Sequence, residues 1–191
     1  MLGFFLAIGK QGSGKTALIT KFIIDNRTKL NDKTRIFSNY ELIGIDYTPC
    51  TFNNKLERDK GKLDVLEQLQ KDPKFFNNSI MAFDEIHIYF DSRDWMSENS
   101  RIVQVFFSQL RKRRILLFGT TQYIMNFDVK LRRQCMNVFS MKYLGRSDIF
   151  EGVIFNVETH DIDGVNTKFI SSYKIDLEDY FQYYDTEEII E

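Results

Sequence analysis

The strongest constraint on this chain lies near its start, where a short apolar run over residues 2–8 stops at a glycine and residues 9–16 read Gly-Lys-Gln-Gly-Ser-Gly-Lys-Thr. A continuous apolar run of that length is the pattern of a strand buried on both faces. The following residues, 15–26, carry Ala17, Leu18, Ile19, Phe22 and Ile23 at helical spacing. Strand, glycine-rich turn and helix in that order admit few folds. Glycines let the backbone curl until successive N–H groups point inward at the positive end of the helix, which makes a nest for an anion. Gly9, Lys10, Gln11, Gly12, Ser13, Gly14, Lys15 and Thr16 satisfy every position of G-x-x-x-x-G-K-[ST], a loop that wraps nucleoside phosphates. In such a loop Lys15 reaches the β- and γ-phosphates and the Thr16 hydroxyl holds Mg²⁺. ATP and Mg²⁺ are the expected ligands.

A second element carries the chemistry. Residues 79–83 are an apolar strand that ends in two adjacent acids, Asp84 and Glu85. Acids at the C-terminal end of a buried strand stand on the sheet edge where ligands bind in open α/β folds. Asp84 is expected to bind Mg²⁺ through water, and Glu85 to orient and deprotonate the attacking water. The pair follows Lys15 by 69 residues (84 − 15), with room between for a helix and a strand. A base beside the metal carboxylate favours hydrolysis over phosphoryl transfer to a small metabolite. A third apolar run, residues 115–119, ends in Thr120, Thr121 and Gln122. A polar group on that strand tip can touch the γ-phosphate and report its loss; Gln122 is the first choice and Thr121 the second. Each has a bland alternative, a solvated loop residue. His87 follows the acidic pair and could lie near the site, but reads first as a structural histidine beside the acidic strand; Trp95 reads as an anchor for the loop after it.

Further strands are expected at residues 35–38 and 136–141, and helices from about Lys60 to before Pro73 and after Ser97 or Ser100. Residues 40–58 read as a long surface connection. Alternating strands and helices argue for an α/β fold, a mostly parallel sheet flanked by helices. Residues 150–159 and 168–175 alternate apolar and polar around Asp161-Ile-Asp-Gly164, which reads as a C-terminal β-hairpin. The organisation expected is a core over residues 1–145, with the hairpin and an acidic, aromatic tail over 146–191 belonging to the same domain. The tail is expected to dock on the domain or on a neighbour. Eighteen phenylalanines point to an aromatic core. Net charge is −1, so global basicity offers nothing to nucleic acid and any such contact needs a local patch. Arg111-Lys-Arg-Arg114 is that patch. Two distant cysteines suit neither a disulfide framework nor a zinc site, and no apolar stretch is long enough to span a bilayer.

Together these motifs resemble the FtsK–HerA superfamily of DNA-pumping ATPases, with a P-loop NTPase sheet of the RecA/ASCE-like kind. Within it the resemblance is nearest to viral genome-packaging ATPases and to the ATPase domain of the zonular occludens toxin (Zot) family. It is carried by residues 9–16, 36–39 (Ile-Phe-Ser-Asn), 83–87 (Phe-Asp-Glu-Ile-His), 91–93 (Asp-Ser-Arg), 109–122 and 130–133. The resemblance implies a homo-oligomer such as a hexameric ring, with ATP at subunit interfaces and double-stranded DNA in the channel. It also implies an arginine finger supplied in trans; Arg111 matches best, with Arg113 and Arg114 as rivals. Capsid or virion-vertex proteins are the further partners implied, and the host-cell cytoplasm or the virion the location. Zot proteins carry a transmembrane helix and another domain after the ATPase; ending at Glu191 without them favours a soluble packaging motor over an extrusion protein. Two other classes stay open: a small P-loop nucleotide kinase, and an ATP-dependent assembly switch.

Overall fold

In the computed structural model, residues 2–30, 34–52, 59–90, 98–147, 152–163 and 166–185 are described. Its strands are β1 (Gly3–Ile8), β2 (Arg35–Ser38), β3 (Thr48–Thr51), β4 (Leu63–Asp64), β5 (Ser79–Phe83), β6 (Leu116–Thr121), β7 (Cys135–Ser147), β8 (Gly152–Asp163) and β9 (Asn166–Asp176). The helices are α1 (Lys15–Leu30), α2 (Val65–Lys71), α3 (Glu98–Gln109) and α4 (Val129–Arg132). All nine strands join one sheet in the order β4-β3-β2-β5-β6-β1-β7-β8-β9. Pairing is parallel from β4 through β7, and antiparallel between β7, β8 and β9.

The apolar runs are continuous because both faces of the central strands are covered. In β1, Phe4 and Leu6 enter the core on one face while Phe5 and Ala7 enter the core on the other. In β5, Met81 and Phe83 divide from Ile80 and Ala82 in the same way. The first core also takes Val65 and Leu69 of α2, Val103, Phe106 and Phe107 of α3, and Leu131 of α4. The second takes Ala17, Leu18, Ile19 and Ile23 of α1. Phenylalanine is concentrated in the first, where Phe4, Phe52, Phe83, Phe90 and Phe107 meet largely edge to face or tilted. Each such buried ring contributes ~1.5–3 kcal/mol relative to exposure.

Several boundaries differ from the sequence reading, each for a local reason. Of the surface connection expected over residues 40–58, residues 53–58 lie outside the described residues, and 40–52 contain β3 and alternate exposed positions with buried Tyr40, Leu42, Ile45, Cys50 and Phe52. Their polar spacers hid a short parallel strand that pairs on both sides. The helix expected from about Lys60 starts at Val65, because Asp64 caps it by accepting from the N–H groups of Leu66 (2.8 Å) and Glu67 (3.1 Å). Residues 63–64 are spent in β4 instead. Ser100 lies inside α3 rather than at its cap, while Ser97 falls outside the described residues, as do Asp91, Ser92, Arg93 and Trp95. The segment expected to turn at 161–164 stays extended through Asp163, which pairs with Asn166. β7 runs six residues beyond Met141, to Ser147, because β8 continues its ladder.

The described part of the acidic tail, to residue 185, docks on its own domain. Its 3-10 turn, Glu178–Tyr183, packs on α1, with Lys21 over the Tyr180 ring at 5.2 Å. Leu177 and Tyr184 are buried in the α1-side core, and Ile43 N–H donates to the Tyr183 carbonyl at 2.8 Å. Cys50 and Cys135 are both free and buried, and burial raises both thiols.

Candidate active site

Strand order brings the motifs together. β6 lies between β1, which leads into the glycine loop, and β5, which ends in the acids. Since all three run parallel, residues 9–16, 84–85 and 120–122 emerge on one edge of the sheet. The loop is built by close approach. At Gly9 a Cβ would meet Ser13 Oγ at 2.5 Å and the Met141 carbonyl at 2.7 Å. At Gly14, where φ is +82°, it would lie 2.6 Å from the ring of Phe155 on β8. The hairpin is therefore a wall of the loop as well as an extension of the sheet. Left-handed backbone costs a side chain ~1–2 kcal/mol, and the ring adds a collision. Gly14→Ala is expected to lower the melting temperature and to weaken ATP binding by at least about tenfold. Thermal denaturation and equilibrium binding check this, and ATP affinity within twofold of the parent would contradict it.

Lys15 is buried, at 6% exposure; its Nζ donates to the Lys10 carbonyl (3.2 Å) and lies 4.0 Å from Glu85 Oε1. Thr16 Oγ1 donates to the Asp84 carboxylate, 3.3 and 3.2 Å from its two oxygens. Thr120, fully buried, joins the acids: its hydroxyl donates to Asp84 Oδ1 and accepts from the Glu85 N–H at 2.8 Å. Asn39, from the tip of β2, clasps the Asp84 backbone. It donates to the Asp84 carbonyl at 2.8 Å and accepts from the Asp84 N–H at 2.7 Å, continuing the ladder with a side chain.

Glu85 opens the 3-10 turn Ile86–Tyr89 from a left-handed conformation, φ +46°, an arrangement that is rare for a residue with a side chain and concentrated at functional sites. Its Oε2 lies 3.2 Å from His87 Nδ1. Thr121 Oγ1 is also 3.2 Å from that nitrogen and donates to the Tyr123 carbonyl. The hydroxyl proton being so committed, the ring proton belongs on Nδ1, facing both Glu85 and Thr121. Gln122 is exposed at the strand tip, on the Glu85 side of the site. Burial opposes the Glu85 charge, but His87, Lys15 and Gln122 outweigh it and hold the carboxyl below its ordinary range. For Asp84 burial wins over the Thr120 hydrogen bond and the Lys15 charge, and the carboxyl is raised. Two neighbouring acids are thus driven apart, the arrangement in which they take different roles.

The residues present fit a nucleotide with Mg²⁺. Ser13 Oγ is buried without a hydrogen-bond partner among the described residues, in a loop whose backbone N–H groups suit phosphate oxygens. The Thr16 hydroxyl and the Asp84 carboxylate are hard oxygen donors. Among the described residues no group of three His, Cys, Asp or Glu could cage a metal, and Mg²⁺ commonly completes its shell with phosphates and water.

Sequence reasoning placed Lys15, Thr16, Asp84, Glu85 and Gln122, and the fold brings all five together. It left His87 between a place near the site and a structural role beside the strand; the fold sets its Nδ1 3.2 Å from Glu85 Oε2. It missed Thr120 and Asn39 as organisers; a buried threonine and a strand-end asparagine carry no signal until strand order is known. Arg111 is not brought to this site. Its Cγ is 3.6 Å from a Cβ built on Gly3, at the far end of β1, roughly 20 Å from the loop at ~3.3 Å per residue. Arg113 is committed to Gln109 Oε1 (2.7 and 3.0 Å) and to the Pro73 carbonyl. Arg111 and Arg114 are exposed.

A parallel sheet with an interposed strand, a glycine loop and a paired acid defines the class, a P-loop ATPase. The particular family is given by comparison: the sequence model of the zonular occludens toxin (Zot) family matches residues 3–188, and the chain belongs to that family. The N-terminal domain of zonular occludens toxin from Neisseria meningitidis is similar in structure, with TM-score 0.69 at 18% identity over 97% of this chain and 100% of that one. The genome-packaging NTPase B204 of Sulfolobus turreted icosahedral virus 2, in complex with ATP-gammaS, gives 0.54 at 12% identity over 88% and 97%. The flagellar accessory protein FlaH from Methanocaldococcus jannaschii gives 0.50 at 11% over 88% and 90%. A search of curated proteins finds no match by sequence. Among the described residues no helix is long and apolar enough to cross a membrane.

Proposed function

We propose that this chain is an ATP-driven DNA translocase of the genome-packaging kind, hydrolysing ATP with Mg²⁺ at the interfaces of a homo-oligomeric ring. The observation that carries the hydrolytic part is the Thr120 bridge, which holds Asp84 beside Thr16 while fixing the Glu85 backbone. In this reading residues 9–16 wrap the phosphates and Lys15 neutralises the β- and γ-oxygens. Thr16 and Asp84 hold Mg²⁺, which supplies charge compensation on the phosphates. Glu85, ionised at neutral pH, accepts a proton from the attacking water, and Gln122 links its orientation to the state of the γ-phosphate.

Arg111 serves a neighbouring subunit as the finger that compensates charge on the transferring phosphoryl group. Its distance from its own loop and its exposure support that role in trans. With Lys112 and Arg114 it also offers charge to DNA phosphates, contacts that need no base sequence. The ring works in the host-cell cytoplasm or on the virion, against a capsid vertex. Likeness to a packaging NTPase from a virus supports this assignment at the level of fold. The Zot family match favours a second reading, a phage assembly or extrusion ATPase with the same chemistry. A nucleotide kinase fits less well, since Glu85 stands where no phosphoryl acceptor needs a base.

Steady-state ATPase activity of the purified chain, with and without double-stranded DNA, tests the translocase reading. Turnover is expected to rise several-fold with duplex. Stimulation by a nucleoside monophosphate instead would identify a kinase, and a rate indifferent to DNA would move the assignment to assembly.

A further inference from the structure

Two contacts make the β7–β8 pair one wall of the phosphate loop: the Met141 carbonyl at Gly9 and the Phe155 ring at Gly14. Gly14 precedes Lys15, at the end of the loop that cradles the α- and β-phosphates. The sugar and base of a nucleotide hang from that end. Beyond Phe155 the wall continues in Tyr143, its partner across the ladder, with ring centroids 5.5 Å apart and planes at 52°. Tyr143 is two residues past Met141, about 7 Å further along the strand, and on the same face, since strand side chains alternate. Phe155 is buried at 2% exposure, backed by Phe181 at 6.4 Å, whereas Tyr143 is 50% exposed. The ladder slips here. Leu144 bulges between Tyr143 and Gly145, which has φ +117°, and bulges re-aim side chains beside active sites.

We infer that Tyr143, backed by Phe155, is the stacking platform for the purine base of the bound nucleotide. The inference rests on the reading of residues 9–16 as the phosphate site. An aromatic face held at a fixed angle by a second ring suits a flat heterocycle, and it supplies affinity without demanding hydrogen bonds to the base edge. The phosphates are then held by backbone and Lys15, and the base by an element from the far end of the chain.

The test compares two probes, ATP and inorganic tripolyphosphate, which has no base, by equilibrium binding with Mg²⁺ to the full chain. Tyr143→Ala is expected to weaken ATP about tenfold and to leave tripolyphosphate within twofold. Tyr143→Phe, which keeps the ring, should bind ATP like the parent. In the unmodified chain, stacking should also quench the fluorescence of 1,N6-ethenoadenosine triphosphate on binding. Equal losses for both probes, or unchanged ATP affinity in Tyr143→Ala, would overturn the platform while leaving the phosphate site standing. Failure of the unmodified chain to bind either probe would overturn the phosphate-site reading itself, and the platform with it.

Discussion

Replacing Lys15 with alanine is expected to abolish ATP turnover, lowering kcat/KM by at least about 10³-fold. The argument starts from burial. An ammonium at 6% exposure is held among the loop carbonyl of Lys10 and the carboxylate of Glu85, and a buried cation is tolerated only where anionic or carbonyl partners repay its lost hydration. The phosphates of a nucleotide are the strongest such partners, and they meet the lysine in a site shielded from water. Removing it also takes away one of the charges that hold the Glu85 carboxyl low. Lys15→Arg should restore little, since a planar fork does not fit where a point charge does. Equilibrium ATP binding and steady-state hydrolysis measure the effect, and turnover near the parent rate would undo the P-loop assignment.

The second large effect separates binding from chemistry. Glu85→Gln is expected to bind ATP at least as tightly as the parent, while hydrolysis falls by ~10²–10⁴-fold, the usual worth of a positioned general base. The amide is nearly the same shape and keeps its place 3.2 Å from His87 Nδ1, so the left-handed turn at residue 85 should persist. What it cannot do is take a proton from water. Loss of a negative charge beside the phosphates removes repulsion in the bound state, so affinity should not suffer. Single-turnover hydrolysis alongside equilibrium binding distinguishes this from misfolding. A rate within twofold of the parent would remove Glu85 from the chemistry.

These effects depend on residues that local pattern exposed unequally. β1, α1, β5 and β6 were legible because burial on both faces writes a continuous apolar run, and because the glycine loop leaves a spacing that little else produces. The hairpin was legible through alternation, though its turn was set too early, since Asp161 and Asp163 are turn formers that here remain extended. β3 was not legible. Its four residues, Thr-Pro-Cys-Thr, carry no apolar run, and it is a strand only because β2 and β4 offer it ladders on both sides. α2 begins later than expected because residues 63 and 64 pair with β3 and Asp64, at the end of that bridge, caps the helix.

By itself the sequence determined the phosphate loop, the acidic pair, the glutamine strand and an α/β class. Those features rest on local backbone geometry and on hydrophobic period, which neighbouring residues dictate. Tertiary structure alone decided that β6 stands between β1 and β5, and so that Thr120 bridges Asp84 to Glu85. It also decided that Asn39 clasps the Asp84 backbone, that His87 faces Glu85, and that Phe155 closes on Gly14 from a strand 141 residues downstream (155 − 14). Strand order and long-range ring contacts are set by how two hydrophobic faces close over one sheet. That choice involves the whole chain at once, and no local spacing records it.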